Sequence, residues 1–184
     1  MTDLVIDASV ARAAGTSNAP ESTRCREFFE AIRTTNSLKC VFTPELREEW
    51  GRHASRYSTT WRAAMYSRRR VRALPSAQDD GLRRNLARCA RAIAANDQAR
   101  IPGIQSAMEK DAHLLEAALK TEGAVASLDD KVRRHFSVCA RDNHSLRIIP
   151  WINPTSPEEG AVAWVLAGSP AEQSRTLGHA ATPE

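Results

Sequence analysis

Leu4-Val5-Ile6-Asp7-Ala8-Ser9-Val10 is the stretch on which the fold turns. Leu4 to Ile6 is apolar without alternation, as in a strand buried on both faces, and the run closes on a carboxylate at Asp7. A strand covered on both sides belongs to a parallel sheet between helices, so helix and strand should alternate downstream.

They do. After a loop over 15–20, Ser22 is placed to cap a helix running to about Thr35, with Cys25, Phe28, Phe29 and Ile32 at helical spacing. Lys39-Cys40-Val41-Phe42-Thr43 reads as the second strand. Thr43 then serves as N-cap and Pro44 as first helical residue of a helix carrying Leu46, Glu49, Trp50 and His53. Residues 57–99 read as largely helical, divided at Pro75-Ser76. Ser106-Ala-Met-Glu109 has capping-box form and opens a helix that Gly123 ends. Ala124 to Leu128 is a third strand, 129–139 a helix, Arg147 to Trp151 a fourth strand, and 158–167 a last short helix. No internal repeat is present. The order predicts an α/β fold of three α/β/α layers around a mostly parallel sheet: a domain over 1–155 with a helical insertion at about 56–99, a C-terminal helix over 156–167, and a disordered polar tail over 168–184.

A chain of 184 residues, 42% hydrophobic and 26% charged, suits one soluble domain. No apolar run approaches the roughly 20 residues that span a bilayer. Asp3 and Asp7 inside the N-terminal apolar stretch, with no basic flank, speak against a secretory signal. Cys25, Cys40, Cys89 and Cys139 are scattered without a C-x-x-C pair and read as small buried hydrophobes in a reducing cytoplasm.

The acids carry the functional signal. Asp7 ends the first strand, Glu49 lies in the helix after the second, Asp111 opens the helix leading to the third, and Asp129 with Asp130 follows the third directly. In a parallel sheet all these places fall at the carboxyl edge, where ligands bind. Each acid also has a plainer reading: Asp129 as an N-cap, Glu49 as a solvated surface acid, Asp111 as an arginine partner. Asp7 is hardest to read plainly, because a carboxylate closing an apolar strand is costly without a partner. Gathered carboxylates repel, and hard divalent ions such as Mg²⁺ or Mn²⁺ are their natural counter-charge.

These segments resemble PIN-domain nucleases. Leu-Val-Ile-Asp7-Ala-Ser9-Val looks like the family's opening strand, although Ser9 stands where Asn is more usual. Thr43-Pro-Glu-Leu46-Arg-Glu-Glu49-Trp is similar to its second motif and selects Glu49 over Glu45 and Glu48. Lys110-Asp111-Ala-His113 followed by a Leu/Ala-rich run resembles the third, and Ser127-Leu-Asp129-Asp130 the fourth. The resemblance spans Leu4 to about Trp151. The stretch between Glu49 and Asp111 is longer than in compact members.

The resemblance implies a metal-dependent endonuclease. Asp7, Glu49, Asp111 and Asp129 would be catalytic and hold one or two Mg²⁺ or Mn²⁺ ions, with Asp130 a further candidate ligand. A metal-activated water attacks phosphorus in line and leaves a 5′-phosphate and a 3′-hydroxyl. Ser9 and Ser127 are candidates to orient the acids. Single-stranded or structured RNA is the expected substrate. Many small relatives are toxins of toxin–antitoxin pairs, of the VapC type, which makes an antitoxin and a homodimer the implied partners. A non-catalytic PIN-like module that only binds RNA is the alternative.

Charge adds a second signal. The net +4 conceals a segment from Arg56 to Arg91 with ten arginines and two acids, +8 net, against −4 elsewhere. Only four of the 26 basic residues are lysines, which suits phosphate recognition and equally a GC-rich genome. Arg62, Arg68, Arg69, Arg70 and Arg72 are the candidate nucleic-acid contacts, a solvated face being the plainer reading. Tyr57, Trp61 and Tyr66 are candidates to stack on unpaired bases, although Trp61 with Met65 at helical spacing suits a core.

Overall fold

The computed structural model describes residues 2–95 and 97–179. Five strands, β1 (Thr2–Ile6), β2 (Leu38–Phe42), β3 (Val71–Ala73), β4 (Ala124–Ala126) and β5 (Trp151–Ile152), form one all-parallel sheet in the order β3-β2-β1-β4-β5. The chain moves outward from β1 to β3 and then returns past β1 to β4 and β5. Right-handed crossovers therefore put the first helices on one face and the later ones on the other. On the first face lie α1 (Ala8–Ala13), α2 (Pro20–Thr34), α3 (Pro44–His53) and α4 (Arg56–Ser67). On the second lie α5 (Asp80–Ala94), α6 (Ile101–Thr121), α7 (Asp130–Ala140) and the short α8 (His144–Arg147). The last helix, α9 (Ala161–Leu166), packs back on α2. The result is a three-layer α/β/α architecture. Among the described residues no helix is long and apolar enough to cross a membrane.

Leu4, Val5 and Ile6 are buried between β2 and β4, as their unbroken apolar run requires. Thr43 caps α3 through Leu46 N, with Pro44 in the first turn. Phe29, Phe42, Trp50 and Trp61 form an aromatic cluster on the first face. Both indoles are satisfied: Trp50 Nε1 donates to Ile6 O at 2.9 Å and Trp61 Nε1 to Phe29 O at 2.8 Å. The Trp50 bond anchors the end of β1 immediately before Asp7.

Several expectations need correction. The 57–99 stretch contains a strand, β3, whose three residues are too few and too polar to show a period. The helix expected from Ser106 begins at Ile101 with Pro102 in its first turn, so Ser106 is interior. Ala19, not Ser22, precedes α2, where Pro20 supplies the start. Residues 144–147 are helical, and the last strand begins only at Trp151. The helix α6 does end just before Gly123, with Glu122 left-handed at φ 52°. Gly123 itself is needed for closeness, since a Cβ there would meet Asp3 O at 2.6 Å. Gly123→Ala is accordingly expected to pry β4 from β1 and lower stability by about 1–3 kcal/mol, measurable by urea titration.

Two corrections are larger. Cys89 on α5 and Cys139 on α7 form a disulfide, their Cα atoms 5.7 Å apart, because the two helices pack side by side on the second face. Only Cys25 and Cys40 are free and buried, as expected. The tail expected to be disordered is packed as far as it is described. Thr176 bridges Pro150, Leu177 N donates to Ile149 O at 3.0 Å, and the Leu177 side chain is fully buried. Residues 180–184 lie outside the described residues.

Candidate active site at the carboxyl edge

The strand order reverses between β1 and β4, and in an open parallel sheet that switch point opens a crevice at the carboxyl ends of the strands. Asp7 stands at its centre. Its amide donates to Ala126 O at 2.9 Å, tying it to β4. Its Oδ2 accepts from Ser9 Oγ at 2.5 Å and Ser127 Oγ at 2.7 Å, while Oδ1 accepts from the Ser9 amide at 3.3 Å. The serine oxygens are themselves used: Leu128 N donates to Ser9 Oγ and Asp129 N to Ser127 Oγ. The two serines therefore lock the Asp7 carboxylate to the turn after β4.

Asp111, on α6, is 8% exposed, and no donor among the described residues bonds its carboxylate. Burial, then the charge of Asp7, push its pKa up to about 7; Asp129 adds to the rise, and Lys110 and His113 only partly offset it. Asp129 caps α7 through Val132 N at 2.8 Å, so its N-cap role and its place in the cleft coexist. Asp130 is partly engaged: Asn153 Nδ2 donates to it at 2.9 Å, and Arg133 stands 4.0 Å away.

Glu49 projects from α3 toward α6, where His113 Nε2 stands 3.3 Å from its carboxylate, out of line for a hydrogen bond but close enough for an ion pair. His113 Nδ1 faces Lys110 O at 2.9 Å, which assigns the proton to Nδ1. Burial draws the His113 pKa down, but the contact with Glu49 and its charge raise it more, so the net shift is upward. The same contact holds Glu49 below the ordinary carboxylate range.

Asp7, Ser9, Glu49, Asp111, Asp129 and Asp130 thus line one cleft of about 540 Å³. Arg12, Lys110 and Lys131 stand exposed at its rim and were missed in the sequence, although each neighbours a singled-out acid. Arg12 is five residues after Asp7, Lys110 precedes Asp111, and Lys131 is two after Asp129. A larger hollow of about 780 Å³ lies at the opposite edge, between Arg147, Ile148 and the C-terminal segment, and gathers no acid cluster.

Among the described residues no three His, Cys, Asp or Glu side chains converge into a preformed metal-binding group. The donor set nonetheless suits a hard cation. The oxygens are carboxylate oxygens, Asp111 has no donor among the described residues, and an ion such as Mg²⁺ keeps several waters and needs only one or two direct carboxylates.

The arginines do not form one track. Arg70 is 6% exposed, its Nε and Nη2 donating to Leu38 O at 3.0 and 2.7 Å, so the expectation that it contacts nucleic acid is overturned. Arg72 is committed to the buried Asp3 at 3.2 Å. The reason is β3: Val71 pairs with Cys40 in parallel register, so Arg68, Arg69 and Arg70 sit at the amino edge of the sheet, across the molecule from Asp7. Arg68 and Arg69 are exposed there. Arg62, on α4, lies over the Phe42 and Trp50 rings. Trp61 belongs to the core and Tyr57 donates to Glu30 at 2.8 Å, which leaves Tyr66 as the one exposed ring of the three.

Comparison of the chain with protein-family models, with curated proteins and with solved structures returns no match.

Proposed function

We propose that the chain is a Mg²⁺- or Mn²⁺-dependent phosphodiesterase that cuts RNA endonucleolytically. The observation that carries this reading is Asp111, buried beside Asp7 with no hydrogen-bond donor among the described residues and with its pKa raised to about 7. A charge so poorly compensated is what a divalent cation would relieve. The motif resemblance to PIN-domain nucleases supports the same reading.

Asp7, Asp111 and Asp129 would hold the ion, with Glu49 recruited if it leaves His113. Bound there, the cation supplies an acidified water and charge neutralisation for a scissile phosphate. Ser9 and Ser127 orient the Asp7 carboxylate by donating to one of its oxygens. Arg12, Lys110 and Lys131 draw the phosphate to a mouth that would otherwise repel it. A toxin role, an antitoxin partner, a homodimer and a cytoplasmic setting rest on the resemblance alone.

A panel of RNAs incubated with Mn²⁺, Mg²⁺ or EDTA tests this reading. Cuts with 5′-phosphate ends are expected with either ion and none with chelator. RNA that binds but stays whole under every metal would leave the non-catalytic module as the better account.

A further inference from the structure

We infer that the basin between α3 and α4, on the side of α3 away from the acids, holds an unpaired nucleotide of the substrate strand. A base would lie against Tyr66 and phosphates at Arg47 and Arg62. The inference rests on the polynucleotide substrate proposed above and narrows it to single strands.

The basin measures about 380 Å³ and is lined by Arg47, Thr59, Arg62, Ala63 and Tyr66, with no acid among them. Tyr66 is 44% exposed, unusual for a large ring. It stacks on Phe42 at an interplanar angle of 28°, so one face is held and the ring is oriented before any ligand arrives. The Arg62 guanidinium stands 6.0 Å from the Phe42 centroid and 5.8 Å from that of Trp50. Stacking over rings orients a guanidinium while leaving its in-plane N–H groups for a phosphate. Arg47 is exposed, its side chain engaged among the described residues by a long 3.4 Å contact from Nε to Thr43 O. An aromatic face flanked by arginines is the chemistry that holds single strands, since a paired base offers no free face.

Placement links the basin to the cleft. Arg47 and Glu49 are two residues apart on α3, about 200° round the helix, so the two sites flank a helix roughly 10–12 Å thick. A strand stacked on Tyr66 has one helix to cross before reaching Asp7.

Fluorescence anisotropy in EDTA tests the inference on the full chain. The probes are a labelled single-stranded RNA of about 12 nucleotides, the matching DNA strand and a blunt duplex. Both single strands are expected to bind at least about tenfold tighter than the duplex, and the RNA and DNA arms show whether the 2′-hydroxyl contributes. Tyr66→Ala should weaken single-strand binding roughly 5- to 150-fold while Tyr66→Trp retains it. Arg47→Gln, a fully surface change, should flatten the salt slope by about 1. Equal duplex binding, or wild-type affinity and salt slope in folded Tyr66→Ala and Arg47→Gln, overturns the inference. Because no metal is present, a basin failure leaves cleavage standing, and strands bound through Tyr66 but never cut sink the nuclease reading alone.

Discussion

Asp111→Asn is expected to move stability and activity in opposite directions. At about pH 8 without metal the variant should melt roughly 5–10 °C above wild type, while metal-stimulated cleavage falls about a thousandfold or more. The stability half follows from linkage. The folded pKa of Asp111, about 7, lies above its ordinary value of 3.8, so the native state binds this proton more tightly than the unfolded chain does. The associated stability is fully present below about pH 4 and is lost as pH rises through about 7. By pH 8 the buried carboxylate is ionised beside Asp7, at a penalty on the order of 2–3 kcal/mol after allowing for solvent relaxation. Asparagine keeps the shape and drops the charge. The activity half follows because the amide removes the charge that makes the pocket attract a cation. The same linkage predicts that Mn²⁺ raises the wild-type melting temperature more at about pH 8 than at about pH 6, where the ion must displace a proton. Melting curves at both pH values, with Mn²⁺ or EDTA, check the two stability statements, and cleavage rates of the variant against wild type with Mn²⁺ check the third. A variant less stable than wild type at pH 8 without metal, or a Mn²⁺ shift indifferent to pH, contradicts them.

The readable parts of the molecule are those where one residue type has a single physical use. Leu4-Val5-Ile6 has no polar face, so it had to be a central strand, and Asp7 could then only lie at the sheet's edge. Thr43-Pro44 starts a helix wherever it stands, which put Glu49 on the helix after β2, where it lines the same cleft as Asp111. Ser127 between β4 and Asp129 was ambiguous until the sheet closed and brought its hydroxyl within 2.7 Å of Asp7. What stayed hidden depends on neighbours remote in sequence. Val71-Arg72-Ala73 has no strand pattern of its own and pairs only because the edge of β2 is open. That pairing buries Arg70 and places Arg68 and Arg69 at the amino edge of the sheet, so the charge count alone did not show which arginines face solvent or where. Glu116 on α6, 3% exposed, likewise gives no sign in the sequence that it receives Arg83 Nε at 2.7 Å, Arg83 Nη2 at 2.8 Å and Asp79 N at 2.9 Å. That triple contact adds a polar clasp between α5 and α6 to the packing of Leu82, Leu86, Ala90 and Ala94.

Reduction of the Cys89–Cys139 bond is expected to lower stability by about 4 kcal/mol, the chain-entropy value for a closed loop of 50 residues. For a chain of this size that is a fall of roughly 8–16 °C in melting temperature. The bond escaped a reading by spacing because nothing local joins two cysteines on separate helices. Only the packing of α5 against α7 brings their Cα atoms to 5.7 Å. The domain should nevertheless stay folded when reduced, since the Glu116–Arg83 pair still fastens α5 to α6. Cys25 and Cys40 are buried, and burial pushes each thiol up to about 12, so neither competes as a thiolate for exchange with Cys89 or Cys139. Thiol titration in denaturant therefore separates the cases: two thiols before reduction and four after. Four thiols in the unreduced chain, or a melting temperature indifferent to reductant, would remove the cross-link from the account of this fold. A confirmed bond would in turn weigh against a permanently reducing setting, because its formation needs an oxidant that such a compartment withholds.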